Sequence, residues 1–171
     1  FNCLYNYPYY NDFLAALGYV KECDWLQYKV RVPEEMPQKL IRVGERLLER
    51  YSLRELDIDA LKKDRKQVKA FFDIYNRSFE KSVHNFIPFT DEEIWEEADQ
   101  VIPMLNNRIS CFLVDSKGGI AGFGVNFPSI SGALRKCRGH LFPFGWFHLL
   151  RALHNCETID LMLNGASPEW Q

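Results

Sequence analysis

Between Asp115 and Glu157 the chain carries no acidic residue, whereas Lys117, Arg135, Lys136, Arg138 and Arg151 are basic and His140, His148 and His154 can become so. A one-sided stretch of this kind sets up a local positive field, which attracts an anionic cofactor, an acidic substrate or a nucleic-acid backbone. A solvated basic loop beside a partner domain would have the same composition. Over the whole sequence 21 Lys and Arg face 23 Asp and Glu, a formal charge of -2. Any anion site is therefore local, and a surface built throughout to neutralise phosphates is excluded.

Other chemistries are excluded by spacing. Gly122-Phe123-Gly124-Val125-Asn126-Phe127 lacks the third glycine of a dinucleotide fingerprint and sits in a strand-like run. There is no G-x-x-x-x-G-K-[ST], no H-E-x-x-H and no G-x-S-x-G. Cys3, Cys23, Cys111, Cys137 and Cys156 are odd in number and contain no C-x-x-C pair, so no disulfide framework or zinc knuckle is encoded and no metal is expected. His154-Asn155-Cys156 is too compact for a Cys/His dyad, and a buried cysteine is the plainer reading. The aromatic run with Phe142, Phe144, Trp146 and Phe147 reads as core or interdomain packing before it reads as a platform for stacked bases.

The elements that must position these residues follow from periodicity. Tyr9, Phe13, Leu14 and Leu17 have helical spacing and Gly18 follows as a C-cap. Tyr19 to Val32 alternates, which predicts a strand that Pro33 ends. Pro33 to Pro37 reads as a linker and Gln38 to Glu49 as a helix. Tyr51 to Leu56 predicts a short strand, and a long amphipathic helix runs from Asp59 to about Phe79, capped by Asp57 or Asp59. Thr90 and Glu93 form a capping box for a helix with Ile94, Trp95, Ala98, Val101 and Ile102 on one face. Ile109 to Val114 and Ile120 to Phe127 predict a hairpin about Lys117-Gly118-Gly119. A helical or irregular insertion and a last strand from Ile159 to Leu163 complete the order. The expected class is α/β or α+β, with a mixed, largely antiparallel sheet flanked by helices.

At 171 residues, 47% of them apolar, the chain has material for a core without disulfide or metal staples. It begins at Phe1 and stops at Pro168-Glu169-Trp170-Gln171 directly after an apolar run, which reads as a fragment. No run of 18 apolar residues and no basic leader is present, so the reading is a soluble, cytoplasmic protein with no membrane partner.

The order strand, helix, helix, hairpin, strand resembles the first half of a GNAT-type N-acyltransferase domain. Leu53-Arg54-Glu55-Leu56 matches its opening strand, Ile109 to Phe127 its second and third, and Leu161 to Gln171 its fourth strand entering the acyl-CoA loop. That loop begins with Gln or Arg and continues x-x-Gly-x-Gly/Ala, so Gln171 would be its first residue. Pro8 to Val20 is similar to the closing helix and turn of such a domain. The resemblance divides the chain into residues 1–32 from a preceding module, 33–50 as linker and connecting helix, and 51–171 as the N-terminal half of a GNAT-like domain. A second such domain would then pack against this one.

The resemblance implies acyl transfer from acetyl-CoA or another acyl-CoA to a small-molecule or peptide amine, with no metal and no covalent enzyme intermediate. Backbone contacts to the acyl donor would come from Leu163, Asn164 and Gly165 and the phosphate loop would open at Gln171, while the charge of the basic stretch adds Arg135 and Arg138 as candidates for the cofactor's phosphates. Acid, base and acceptor-orienting candidates are Tyr75, His84 and Asn126, with Glu80 and Glu157 behind them. Histidine is the side chain that exchanges a proton near neutral pH. The competing readings are a solvated His84, a strand-end Asn126 and, for the whole, a non-catalytic binding module on a degenerate GNAT fold. A nucleic-acid partner is disfavoured.

Overall fold

The computed structural model describes residues 6–155 and 157–170. Gln171, expected to open the phosphate loop, lies outside them, as do Cys3 and Cys156. The chain divides into two compact units, residues 1–38 and 39–171.

In the first unit, α1 spans Tyr9–Ala16. It ends as its sequence dictates: Gly18 takes a φ of 87°, which a side chain resists, and the Gly18 and Tyr19 amides donate to Ala15 and Leu14 carbonyls. The strand expected over Tyr19 to Val32 is not there. The segment has no regular structure, and Val20, Trp25, Tyr28 and Val32 are exposed. Alternation alone does not make a strand; its backbone groups need a neighbouring strand, and the described residues of this segment pair with none.

α2 runs Gln38–Tyr51 and buries none of its residues. It continues further than its pattern suggested. Leu53 N–H closes on Leu48 O, and Ser52 turns at a φ of 50°, so β1 shrinks from the expected six residues to Arg54–Glu55.

The helix expected from Asp59 to Phe79 is two helices, α3 (Ile58–Leu61) and α4 (Arg65–Ser82). Asp57 caps α3 by accepting from Asp59 N–H. Asp64 takes an extended conformation and accepts from the Lys66 and Gln67 amides, so a residue that read as helix interior is the N-cap of α4. α5 (Asp91–Val101) begins on the expected capping box: Thr90 Oγ1 accepts from Glu93 N–H while the Glu93 carboxylate accepts from Thr90 N–H.

β2 (Cys111–Val114) and β3 (Ile120–Pro128) form the expected hairpin. Asp115 organises its turn, accepting from the Lys117 and Gly119 amides, and Gly118 supplies the positive φ of 84°. The insertion is helical: α6 (Ser131–Cys137) and α7 (Gly145–His154) lead into β4 (Ile159–Ala166). The sheet has the order β1-β2-β3-β4 and every pair is antiparallel. The fold is α+β, with a four-stranded open antiparallel sheet flanked by helices.

One face of that sheet carries the core. Phe71 on α4 is fully buried, with its ring edge-on to Phe112 at 5.2 Å and to Phe123 at 5.0 Å. Ile58, Leu61 and Ile94 from the other helices and Val114 and Val125 from the strands close around it. Apolar burial of this kind stabilises by roughly 25 cal/mol per Å² removed from water, which holds α3, α4 and α5 on this one side.

Candidate functional site

The longest ladder of the sheet joins β3 to β4, from Gly122 opposite Ala166 to Pro128 opposite Ile159. Side chains alternate across it. Phe123 and Val125 point into the core, so Gly122 and Gly124 and their partners Ala166 and Asn164 point to the opposite face. A Cβ built on Gly124 would lie 3.1 Å from Asn164 Oδ1 and 3.7 Å from Asn126 Nδ2. Two carboxamides thus flank a bare glycine.

Asn126 is held by its surroundings. Between Val125 and Asn126 the register slips by one residue, leaving Met162 without a partner across the ladder. A bulge of this kind re-aims the side chain beside it. The Asn126 amide nitrogen donates to Ile109 O at 2.6 Å, its backbone N–H donates to Ser110 Oγ at 3.1 Å, and Ser110 Oγ donates back to Asn126 O at 3.0 Å. Because a carbonyl faces the nitrogen, the side-chain orientation is fixed. Asn126 Oδ1 is left buried, with no donor among the described residues. A buried acceptor without a donor is rare in a folded protein and is satisfied by a ligand or a water.

Cys111, opposite Gly124, lies 3.4 Å from the Glu55 carboxylate. Burial first, and that neighbour second, push its thiol up to about 11. It is a neutral thiol at physiological pH and not a nucleophile.

The far end of β4 is tied down at several points. Gly165 leaves room for the Phe123 ring, whose nearest carbon would be 2.7 Å from a Cβ there. Ser78 Oγ on α4 donates to Ala166 O at 2.7 Å, and Ser167 N–H donates to Ala121 O at 2.8 Å. Ser167 Oγ reaches Glu169, which also lies 3.6 Å from Arg77. A single 3-10 turn, Pro168–Trp170, follows. Between this turn and α4 lies a cavity of about 260 Å³ with Asp73, Asp115 and Glu169 against one guanidinium, Arg77, on its wall. Its charge does not suit a phosphate.

Of the residues singled out in the sequence, Asn126 and Asn164 come together across Gly124. Leu163 pairs with Val125 in the same ladder. Tyr75 packs among Phe79, Phe86 and Phe89 beside the core, on the face of the sheet opposite Gly124. Burial, with Glu97 adding to it, raises its phenol, so Tyr75 can give a proton but does not stand ready to take one. His84 is exposed on the segment between α4 and α5, and the Ser78 bond brings the second half of α4 against β4. Arg135 and Arg138 are exposed at the end of α6. That helix leaves the ladder at Pro128, whereas the turn after β4 leaves it at Ala166, about six residues or roughly 20 Å along β3. Glu157 is exposed before β4. Among the described residues no group of three or more His, Cys, Asp or Glu could hold a metal ion. No helix among them is long and apolar enough to cross a membrane.

Ser78, Ser110 and Ser167, the buried polar residues that fix this region, carried no signal in the sequence. Ser78 meets its partner across 88 residues of chain, and nothing local distinguishes it from a surface serine.

No family model matches the chain and no solved structure matches it. It is similar to "Protein YghO" of Escherichia coli (strain K12), with 26% identity over 177 residues covering 96% of this chain and 42% of that protein. It is also similar to the "Bacterial ceramide synthase" of Caulobacter vibrioides (strain NA1000 / CB15N), with 28% identity over 157 residues covering 90% of this chain and 40% of that protein. The chain thus spans about two fifths of the length of these curated relatives.

Proposed function

We propose that this chain is part of an acyl-CoA-dependent N-acyltransferase of GNAT type whose acceptor is a long-chain amine. The likeness to a protein named for ceramide suggests an acyltransferase type of function, and ceramide is the amide of a fatty acid with a long-chain amino alcohol. The observation that carries the reading is the buried, donorless Asn126 Oδ1 beside Asn164 and the bare Gly124, on the strand pair that the GNAT resemblance assigns to the acyl donor.

In this reading the amine attacks the thioester carbonyl. A C–N bond forms, the C–S bond breaks, the amine loses a proton and the thiolate of CoA gains one. β4 is the edge of the sheet among the described residues, so those backbone groups along Leu163, Asn164 and Gly165 that alternate outward have no strand partner there and can pair with the amides of the pantetheine arm. Asn126 Oδ1 accepts from an N–H of donor or acceptor and fixes its position, an orientation effect that is worth several kcal/mol of barrier in well-aligned reactions. His84, the base that the GNAT resemblance implies, takes the proton of the amine; α4 before it lies on the core face of the sheet, so the amine must reach it around the edge that β4 forms.

The test is a thermal shift on the full-length protein with acyl-CoAs from acetyl to palmitoyl, followed by release of free CoA thiol with a long-chain amine. A ligand at 100 times its Kd adds about 2.7 kcal/mol of stability. Gly124→Val, which crowds both carboxamides, should abolish the shift while the protein still unfolds cooperatively. No shift with any acyl-CoA removes the enzyme reading and leaves a binding module on this fold.

A further inference from the structure

Apolar side chains on the α6–α7 insertion point outward. Phe142 and Phe144, on the segment before α7, are 82% and 75% exposed. Along α7, Trp146, Leu150 and Leu153 recur at i, i+4 and i+7 and are each about half exposed, while Gly145 alone of that helix is buried. The outward face is not an accident of loose packing. Gly145 sits so close to the end of α6 and the turn after it that a Cβ would clash with His140 O and lie 2.9 Å from Cys137 Cβ, which pins the start of α7 at this corner while its apolar row is exposed. Contiguous exposed apolar surface on a folded domain marks an interaction site.

The charge on this insertion chooses the partner. Arg135, Lys136 and Arg138 at the end of α6 and Arg151 on α7 are exposed on the same insertion, and no carboxylate occurs between Asp115 and Glu157. Aromatic and leucine side chains rimmed by basic ones, with no acid to repel phosphate, form the pattern of a segment that lies in the headgroup layer of an anionic bilayer. α7 has 10 residues, a length of about 15 Å, which suits lying in an interface and cannot span one. The absence of a spanning run in the sequence does not bear on a helix that lies flat.

We propose that the α6–α7 insertion docks the protein on an anionic lipid surface, with Phe142, Phe144, Trp146 and Leu150 entering the headgroup layer and the four cations meeting lipid phosphates. The proposal goes beyond acyl transfer and does not depend on it, since its readout contains no CoA.

The test is flotation of the full-length protein with vesicles of phosphatidylcholine alone or with about 30% phosphatidylglycerol, the anionic lipid supplying the surface field. Binding to the anionic vesicles only, weakened at about 0.5 M salt where surface charges are screened, is the expected result. Phe142→Ser with Phe144→Ser, which removes two apolar rings from the headgroup layer, and separately Lys136→Glu with Arg151→Glu, where each cation near such a surface changes binding by about fivefold, should each lower the partition coefficient at least about tenfold. All four side chains are exposed, so the melting temperatures of both variants should match the parent. Three outcomes overturn the proposal: equal flotation with neutral vesicles, no flotation at all, or self-association that the Phe pair abolishes while vesicle binding persists. The last would show the face to be a contact between copies.

Discussion

α4 and α7 are both amphipathic helices with aromatic residues in their apolar rows, yet α4 buries Val68, Phe71, Phe72 and Ile74 while α7 buries only Gly145. What separates them is the surface opposite. α4 lies over the alternating residues of β2 and β3, where Phe112, Phe123 and Val125 supply a second apolar face to close against. α7 packs on α6, a helix of seven residues with Arg135 and Lys136 in its last turn, too short and too polar to cover it. An apolar row therefore predicts a helix in both places, but burial needs a complementary face, and the second helix meets none among the described residues.

The sharpest way to break that contrast is to truncate one phenylalanine in each layer. Phe71→Ala removes a fully buried ring that touches Phe72, Phe112 and Phe123, and should cost about 3–5 kcal/mol in urea unfolding. Phe144→Ser, at a 75% exposed position, should stay within about 0.5 kcal/mol of the parent. Similar losses at the two sites would mean that the insertion is covered after all.

A smaller effect probes the one point where α7 is tightly packed. Gly145→Ala places a methyl against the His140 carbonyl, and since backbone must move to admit it, about 1–3 kcal/mol should be lost. Gly132→Ala on α6 meets nothing within 4 Å and should be neutral or stabilising by up to about 1 kcal/mol. If both are neutral, the α6–α7 packing is not the constraint that turns the apolar row outward.

The same contrast explains what the sequence allowed to be read. The capping box at Thr90 and Glu93, the Lys117-Gly118-Gly119 turn and the Gly18 cap were legible because their signals lie within a few residues. So was the order of strands, because the hairpin and the period of β4 are local. Asp64 was missed as a cap: in the run Lys62-Lys63-Asp64-Arg65 a polar residue reads equally well as the solvent face of a helix. The strand over Tyr19 to Val32 failed for the opposite reason, a pattern with no neighbour to pair with. At the candidate site Asn126 was named for its side chain and Asn164 for a backbone contact that the resemblance implied, but that their side chains meet across Gly124 follows from the strand register, and the serines that fix the region bond across long stretches of chain. Nothing in the local text marks a register or a partner so remote.

The smallest expected effect sets the two helix starts against each other. α5 opens on Thr90 with a reciprocal capping box, whereas Phe144 ahead of α7 makes no side-chain cap. Thr90→Ala should therefore cost about 1 kcal/mol, a typical N-cap loss. The same box gives α5 a pH dependence. Glu93 accepts from Thr90 N–H, its largest influence, and is coupled to the Thr90 side chain as well, which lowers its carboxyl below the ordinary 4.5. A carboxyl depressed on folding contributes stability that is complete above the unfolded value and is lost as pH falls through the folded one. Unfolding followed from pH 7 to 3 should show this fraction of stability disappearing below about pH 4.5, and Glu93→Gln should flatten that part of the profile. Because Thr90→Ala removes the hydroxyl but leaves the backbone N–H that Glu93 accepts from, it should lower stability at every pH while keeping most of the slope. A profile that Glu93→Gln leaves unchanged would show that the Glu93 half of the box gives α5 no help and that Thr90 alone sets it apart from α7.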